Sequence, residues 1–388
     1  MITEKLYYSD SYINEFTAQV LQCEACANGF FAVLSKTAFF PEGGGQKADT
    51  GYINNERVID VQEEDGIIKH YMKTQLNVGD TVSCKIDWEQ RFNRMQNHSG
   101  EHIVSGIVHS LYGYDNVGFH MEEDYVTVDF NGELTMQQLL EIEDRANKAV
   151  CGNIPVECYF PKTEDLPTLD YRSKLDLTEN VRFVNIPGVD LCACCAPHVK
   201  RTGEIGIIKI LDVMRHRSGV RITMKSGEKA LKDYQEKQKS VIGVSNLLSA
   251  KQNEIIEAVD RLKAENDGLK SQFYSFKMKI AEFDRERLEK TGDLSYYITC
   301  FYDTDMMRDL ANYGMTLSKL SVVFSGNDCD GYSYIAGSNS LDMMSVAKNI
   351  NSSLNGRGGG RGTMVQGKVS ASKEDITSYI GNLDLGEI

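Results

Sequence analysis

Two short stretches hold the residues whose types and spacing suggest chemistry. In NHSGEH, residues 97–102, His98 and His102 stand four apart. On a helix that spacing puts both imidazoles on one face about one turn apart, where a single tetrahedral ion can bridge them. About ninety residues later CACCAPH, residues 192–198, sets Cys194 four before His198 in a tight turn opened by Pro197. Three imidazoles and a thiolate favour zinc over magnesium or calcium. Each half alone is weak, since H-x3-H pairs arise by chance and a lone turn cysteine is as readily a buried structural thiol. Together they use three of the seven histidines, which makes a metal site the better reading. Cys192 and Cys195 are rival donors, and chain order does not choose among the three thiols. Glu101 lies between the histidines, where it can act as a base or support a ligand from outside the coordination shell. It is not where H-E-x-x-H zinc proteases place their glutamate, so that chemistry is disfavoured. Four protein ligands normally close a structural site, whereas catalytic zinc keeps an open position. Catalysis here would need a labile ligand, or an ion that orients substrate. Cys23-x2-Cys26 has no partners and reads as structural.

Two glycine-rich segments could bring backbone close to a ligand. PEGGGQ, residues 41–46, packs Gly43, Gly44 and Gly45 before Gln46. It lacks the lysine of a phosphate-cradling G-x4-G-K-S/T loop, so it reads as a tight hairpin or a point of close approach. NGRGGGRGTMVQGKV, residues 355–369, interleaves glycine with Arg357, Arg361 and Lys368. That composition suits a phosphodiester backbone as well as it suits a solvated loop.

The elements that must position these residues change character along the chain. All six prolines lie at or before Pro197, leaving the second half free for long helices. Residues 1–90 read as β-rich, a small barrel or sandwich of short alternating runs. Residues 91–226 read as an α+β domain: a helix carrying both histidines, a helix over 136–150, and a hairpin over 204–224 turning at Ser218-Gly219. From 227 to 291, Val241, Leu248, Ile255, Leu262, Leu269, Phe276 and Phe283 recur every seven residues. Such a seam packs against a partner helix, either another subunit or a fold-back at Asp267-Gly268, and we expect a dimer. Residues 292–388 read β-α-β-β-α, a glycine-rich segment and a closing helix, a small α/β domain.

The chain has 388 residues, 41% apolar and 25% charged, which are globular proportions. No apolar run reaches membrane length and no secretory leader is seen, so a cytoplasmic protein with reduced thiols is expected. A net charge of −14 argues against indiscriminate nucleic-acid binding. Leu191–Lys225 nonetheless holds seven Lys or Arg against Glu204 and Asp212, and this basic window could meet phosphate.

Taken in order, the motifs resemble the editing half of alanyl-tRNA synthetase and its stand-alone, long AlaX-type editing relatives. FFPEGGGQKADTG (39–51), RMQNHSGEHIVSG (94–106), CCAPHVKRTGEIG (194–206) and GGGRGTMVQGKV (358–369) carry the resemblance across nearly the whole chain. It implies His98, His102, Cys194 and His198 as zinc ligands. The implied activity is hydrolysis, without ATP, of the ester joining serine or glycine to the tRNA for alanine. Ser99 stands at the family's small hydroxyl position beside the first histidine, and Ser99 and Glu101 are the candidate catalytic residues. Gly43, Gly44, Gly45, Gln46, His120, Lys200, Arg201, Arg357, Arg361 and Lys368 are candidates for holding substrate or tRNA. His120 is the polar candidate in GFHMEED, where no threonine is offered. Residue 1 falls where the family's β-rich domain begins, so aminoacylation is not expected. The helical segment is expected to form a homodimer. The competing readings are a non-enzymatic tRNA-binding protein with a structural zinc and a hydrolase of small esters.

Overall fold

Between Glu15 and Ile86, six antiparallel strands close into a barrel in the order Glu15–Cys26, Gly29–Leu34, Ile67–Met72, Glu56–Glu64, Gly51–Ile53, Thr81–Ile86. Their period-two burial explains the closure: Val82, Cys84 and Ile86 point inward while Thr81, Ser83 and Lys85 face solvent. Leu34, Phe39, Ile53, Ile68 and Met72 fill the interior, each fully buried aliphatic or aromatic side chain stabilising by roughly 1.5–3 kcal/mol. His70 sits on this inward face, its ring bonded to Thr37 Oγ1 at 2.8 Å and the Ala32 carbonyl at 3.0 Å. The computed structural model describes residues 3–173 and 180–386.

The helix Trp88–Tyr112 follows the barrel and is ended by Gly113, whose φ of 68° is the left-handed cap that glycine favours. Every residue from Met95 to Gly106 is buried. This helix and Met136–Cys151, which opens on a Thr135–Gln138 capping box, cover a four-stranded antiparallel sheet. The strand order is Ile208–His216, Gly219–Ser226, Val126–Phe130, Asn116–Met121. The hairpin turns at Arg217-Ser218, one residue earlier than expected: Gly219 already pairs with His216, and Arg217 takes the positive φ. A three-stranded sheet of Glu157–Tyr159, Phe183–Ile186 and Asp190–Ala193 completes the region.

The chain divides into two compact units, Met1–Gly243 and Val244–Ile388. Residues 1–90 and 91–226 lie together in the first, and the 227–291 segment straddles the division. Its helices are Glu228–Leu248 and Ile255–Glu286, separated by a short break and a 3-10 turn over Gln252–Glu254. The second helix runs without interruption through Asp267-Gly268, so no fold-back occurs there. The second unit also holds a six-stranded sheet ordered Glu289–Thr291, Leu294–Thr299, Leu320–Asn327, Gly331–Gly337, Met364–Val369, Gly356–Arg361. Leu294–Thr299 and Leu320–Asn327 are parallel, joined through the helix Thr304–Gly314. Asp303, Asp342 and Ser372 cap successive helices. The arginine-glycine segment is a strand of this sheet, correcting the loop reading: glycine weakens a strand, but here it pairs residue for residue with Met364–Val369. Taken together, the fold is mixed α+β. Among the described residues, no helix is long and apolar enough to cross a membrane.

Candidate metal centre

His98, His102, Cys194 and His198 come together in the first unit, their donor atoms all within 4.8 Å of one another. The histidines are 1–3% exposed. Cys194 Sγ lies 3.7 Å from His98 Nε2 and 3.5 Å from His198 Nε2. Each ring uses its other nitrogen outward. His98 Nδ1 donates to Gln46 Oε1 at 3.0 Å, and His102 Nδ1 donates to Asp190 Oδ2 at 2.9 Å. His198 Nδ1 is hydrogen-bonded to Ser99 Oγ at 3.0 Å. Such outer partners fix ring orientation and tautomer and leave Nε2 for an ion.

The local sequence explains these approaches. Gly106 lies one helical turn after His102, and a Cβ there would stand 2.4 Å from the Val189 carbonyl oxygen and 2.7 Å from Asp190 Cβ. Only glycine lets the Asp190 strand come near enough to reach His102. On the other side, Gly43 and Gln46 exchange backbone hydrogen bonds around a turn whose two central residues, Gly44 and Gly45, have φ of 60° and 80°. A Cβ on Gly45 would meet Phe119 Cδ1 at 2.5 Å. Asp49 anchors this loop to the histidine helix: it is 1% exposed, accepts from Phe40 N at 2.7 Å, and pairs with the fully buried Arg91. Losing either member of such a pair strands a buried charge, at a cost of about 3–5 kcal/mol.

Electrostatics follow from burial. Burial pushes the Cys194 thiol well above its ordinary range, and burial with the neighbouring His102 and His98 drives His198 well below its own. Burial also raises the Asp190 carboxyl, but the hydrogen bonds from His102 and Arg172 outweigh it and hold it below the usual range. Arg172 grips Asp190 with two bonds of 2.7 and 2.9 Å. Four converging donors of this kind could hold a metal ion.

A cavity of about 620 Å³ opens beside them, lined among others by Gly44, Gly45, Glu101, Asn116, Phe119 and Arg172. Not every anticipated residue reaches it. Ser99 is wholly buried, tied to His198 and to Val199 N, and is not in the lining. Strand alternation turns His120 to solvent, opposite the inward Phe119, and Asn116 is the polar group of that strand in the cavity. Cys192 and Cys195 line the cavity without joining the quartet. Lys200 pairs with Asp10 and Arg201 donates to the Asn153 carbonyl. The basic window is largely neutralised where it stands: Lys209 pairs with Glu143, Arg215 with Glu133, Arg221 with Asp129 and Lys225 with Asp233. Arg357, Arg361 and Lys368 belong to the second unit, where Arg357 lies directly across from Lys368. No ion pair is made by these three among the described residues. Asp190, Arg172 and Asn116 escaped the sequence reading because nothing in their spacing distinguishes them.

Comparisons with known proteins agree along the chain. A family model described as tRNA synthetases class II (A) matches residues 4–90, and one described as threonyl and alanyl tRNA synthetase second additional domain matches residues 181–229. The alanyl-tRNA editing protein AlaX-L of Pyrococcus horikoshii is 28% identical over 97% of this chain and 96% of its own length. The alanyl-tRNA editing protein Aarsd1-A of Xenopus laevis is 27% identical over 93% of this chain and 92% of its own. The alanine–tRNA ligase of Ignicoccus hospitalis is 26% identical over 98% of this chain, which spans only 43% of the ligase. The chain is thus a relative, over nearly its whole length, of the AlaX-type alanyl-tRNA editing proteins.

Proposed function

We propose that this chain is a trans-editing aminoacyl-tRNA deacylase, a hydrolase that releases serine or glycine from mischarged tRNA for alanine at a zinc site. The observation that carries the reading is the quartet itself, opening on a cavity of amino-acid and nucleoside scale. Zinc bonds of about 2.0–2.1 Å to nitrogen and 2.3 Å to sulfur place tetrahedral N and S donors about 3.6 Å apart, against 3.5 and 3.7 Å here. These two separations, with three imidazoles and a thiolate converging, suit zinc. When bound, zinc supplies Lewis acidity toward the ester carbonyl or a bound water.

The chain's own residues do the rest. Gln46, Ser99 and Asp190 hold the three imidazoles, and Arg172 holds Asp190. The Gly44-Gly45 turn offers backbone without side chains at the cavity wall, and Phe119 packs on His98 with ring centroids 4.8 Å apart. Hydrolysis adds water to the carbonyl and breaks its bond to the terminal ribose oxygen, giving free amino acid and an intact tRNA hydroxyl. Polar groups that bond a serine hydroxyl would stand unpaired against alanine's methyl, which favours sparing the correct ester. We assign Arg357, Arg361 and Lys368 to the tRNA backbone, because directly opposed like charges are costly in a sheet unless an anion lies between them. We assign the exposed seam of Leu262, Leu269, Phe276 and Phe283, each more than half exposed, to a homodimer contact. The four parts 1–90, 91–226, 227–291 and 292–388 then serve as loop donor, hydrolytic domain, dimer helix and tRNA grip.

The test is hydrolysis of seryl- and glycyl-tRNA for alanine by the zinc-loaded chain, with Cys194→Ser and His102→Ala as controls. Activity lost in both variants supports the proposal. Tight tRNA binding with no hydrolysis would favour a binding protein whose four ligands close a structural zinc.

A further inference from the structure

Resting on the deacylase reading, we propose that Glu101 is the binding site for the substrate's α-ammonium group, so that the protein selects esters of free amino acids over N-blocked ones. Glu101 is 4% exposed and lines the cavity beside His98 and His102, yet it is not one of the four converging donors. Both hydrogen bonds it receives, from Ser105 Oγ and from Asn116 Nδ2 at 2.5 Å, end on Oε1. Those donors are neutral and orient the carboxylate, and no hydrogen bond to Oε2 or ion pair to Glu101 is made among the described residues. Oε2 is thereby left for a cationic group of the substrate that enters the cavity. Of the neighbouring carboxylates, Asp190, which is not in the lining, is taken by Arg172 and His102, and the exposed Asp115 by His109 at 3.1 Å. Of the two guanidiniums lining the same cavity, Arg172 has its fork on Asp190 and reaches Glu101 only through space, and Arg182 donates to the carbonyls of Cys194 and Ala196.

The chemistry of an aminoacyl ester matches this placement. Its ammonium sits on the carbon next to the reacting carbonyl. A carbonyl placed against the histidines therefore brings the ammonium to a side chain one residue from His102 and three from His98 on the same helix. Binding through the ammonium would orient the ester and exclude acylated amines, which carry no positive charge.

The test uses stable amide analogues, 3′-serylamido-3′-deoxyadenosine and its N-acetyl form, titrated calorimetrically into the zinc-loaded full chain. The free amine should bind at least tenfold more tightly, and Glu101→Gln, with zinc content unchanged, should bring the two within about twofold by weakening only the free amine. Equal binding of both analogues to the unaltered protein would overturn the inference without any variant, as would Glu101→Gln weakening both alike. A preference for the free amine in a protein that hydrolyses no ester would leave the ammonium site standing and remove the deacylase reading instead.

Discussion

Adding one methyl group at Gly45 separates a positioned loop from a merely permissive one. Two costs fall on Gly45→Ala. A β-carbon at a left-handed φ costs about 1–2 kcal/mol, and here φ is 80°. The new carbon also stands 2.5 Å from Phe119 Cδ1 and 2.8 Å from the Phe119 carbonyl oxygen, an overpacking worth about 1–3 kcal/mol. Phe119 cannot swing aside freely, because its ring packs on His98. The loop must therefore move, drawing Gln46 away from His98 and breaking the bond from Met121 N to the Gly45 carbonyl. Gly44→Ala is the matched control, since φ is 60° but its β-carbon meets only Cys195 Sγ at 3.6 Å, an ordinary contact. Unfolding in urea should show about 2–5 kcal/mol lost in Gly45→Ala and about 1–2 in Gly44→Ala. Loss of an outer partner should also weaken zinc about 10–100-fold in Gly45→Ala alone, read by competition with a chelating dye. Equal destabilisation and equal zinc affinity in the two variants would refute the reasoning.

Three further outcomes are expected. Burial lowers the His70 pKa from 6.5 to about 4, so the unfolded chain binds this proton first as pH falls. The stability it contributes is complete above pH 6.5 and is lost on descent toward pH 4, about 3 kcal/mol in all. Urea unfolding of His70→Asn should show a pH dependence shallower by that amount, and an unchanged slope would contradict it. Replacing Arg357 and Arg361 by alanine should weaken tRNA binding about equally across sequences and reduce the slope of log affinity against log salt by up to about 2; an unaltered slope would remove them from the interface. Leu269→Glu with Phe276→Glu should convert a dimer to monomer in analytical ultracentrifugation without lowering zinc content, while an unchanged mass would place any dimer contact elsewhere.

Residue type and spacing went furthest where local geometry dominates. The i,i+4 histidines needed only a helix, and the turn of PEGGGQ needed only glycine's freedom at positive φ. What could not be read were relations made by pairing between distant segments. Asp190 reaches His102 because Gly106 admits its strand, and a glycine inside a helix does not announce which backbone it admits. Ser99 adjoins His98 in sequence, but the helix turns it about 100° away, toward His198 and out of the cavity. The pairing of the basic window could not be read because its acids, Asp10, Asp129, Glu133, Glu143 and Asp233, come from outside it. The arginine-glycine segment looked like a loop because glycine disfavours strands, a preference that the pairing with Met364–Val369 overrides. In the coiled segment the seven-residue seam indicated a long helix, while the break fell at Ser249, which takes a φ of 49°, and not at the glycine.

The most direct measurement is serine release from seryl-tRNA for alanine as a function of zinc occupancy in one preparation, stripped by chelator and refilled stepwise, with alanyl-tRNA followed in parallel. The account predicts a rate rising in proportion to zinc up to one ion per chain, with alanine retained throughout and His102→Ala inactive at any zinc concentration. A rate independent of zinc, or serine and alanine released equally fast, would contradict it.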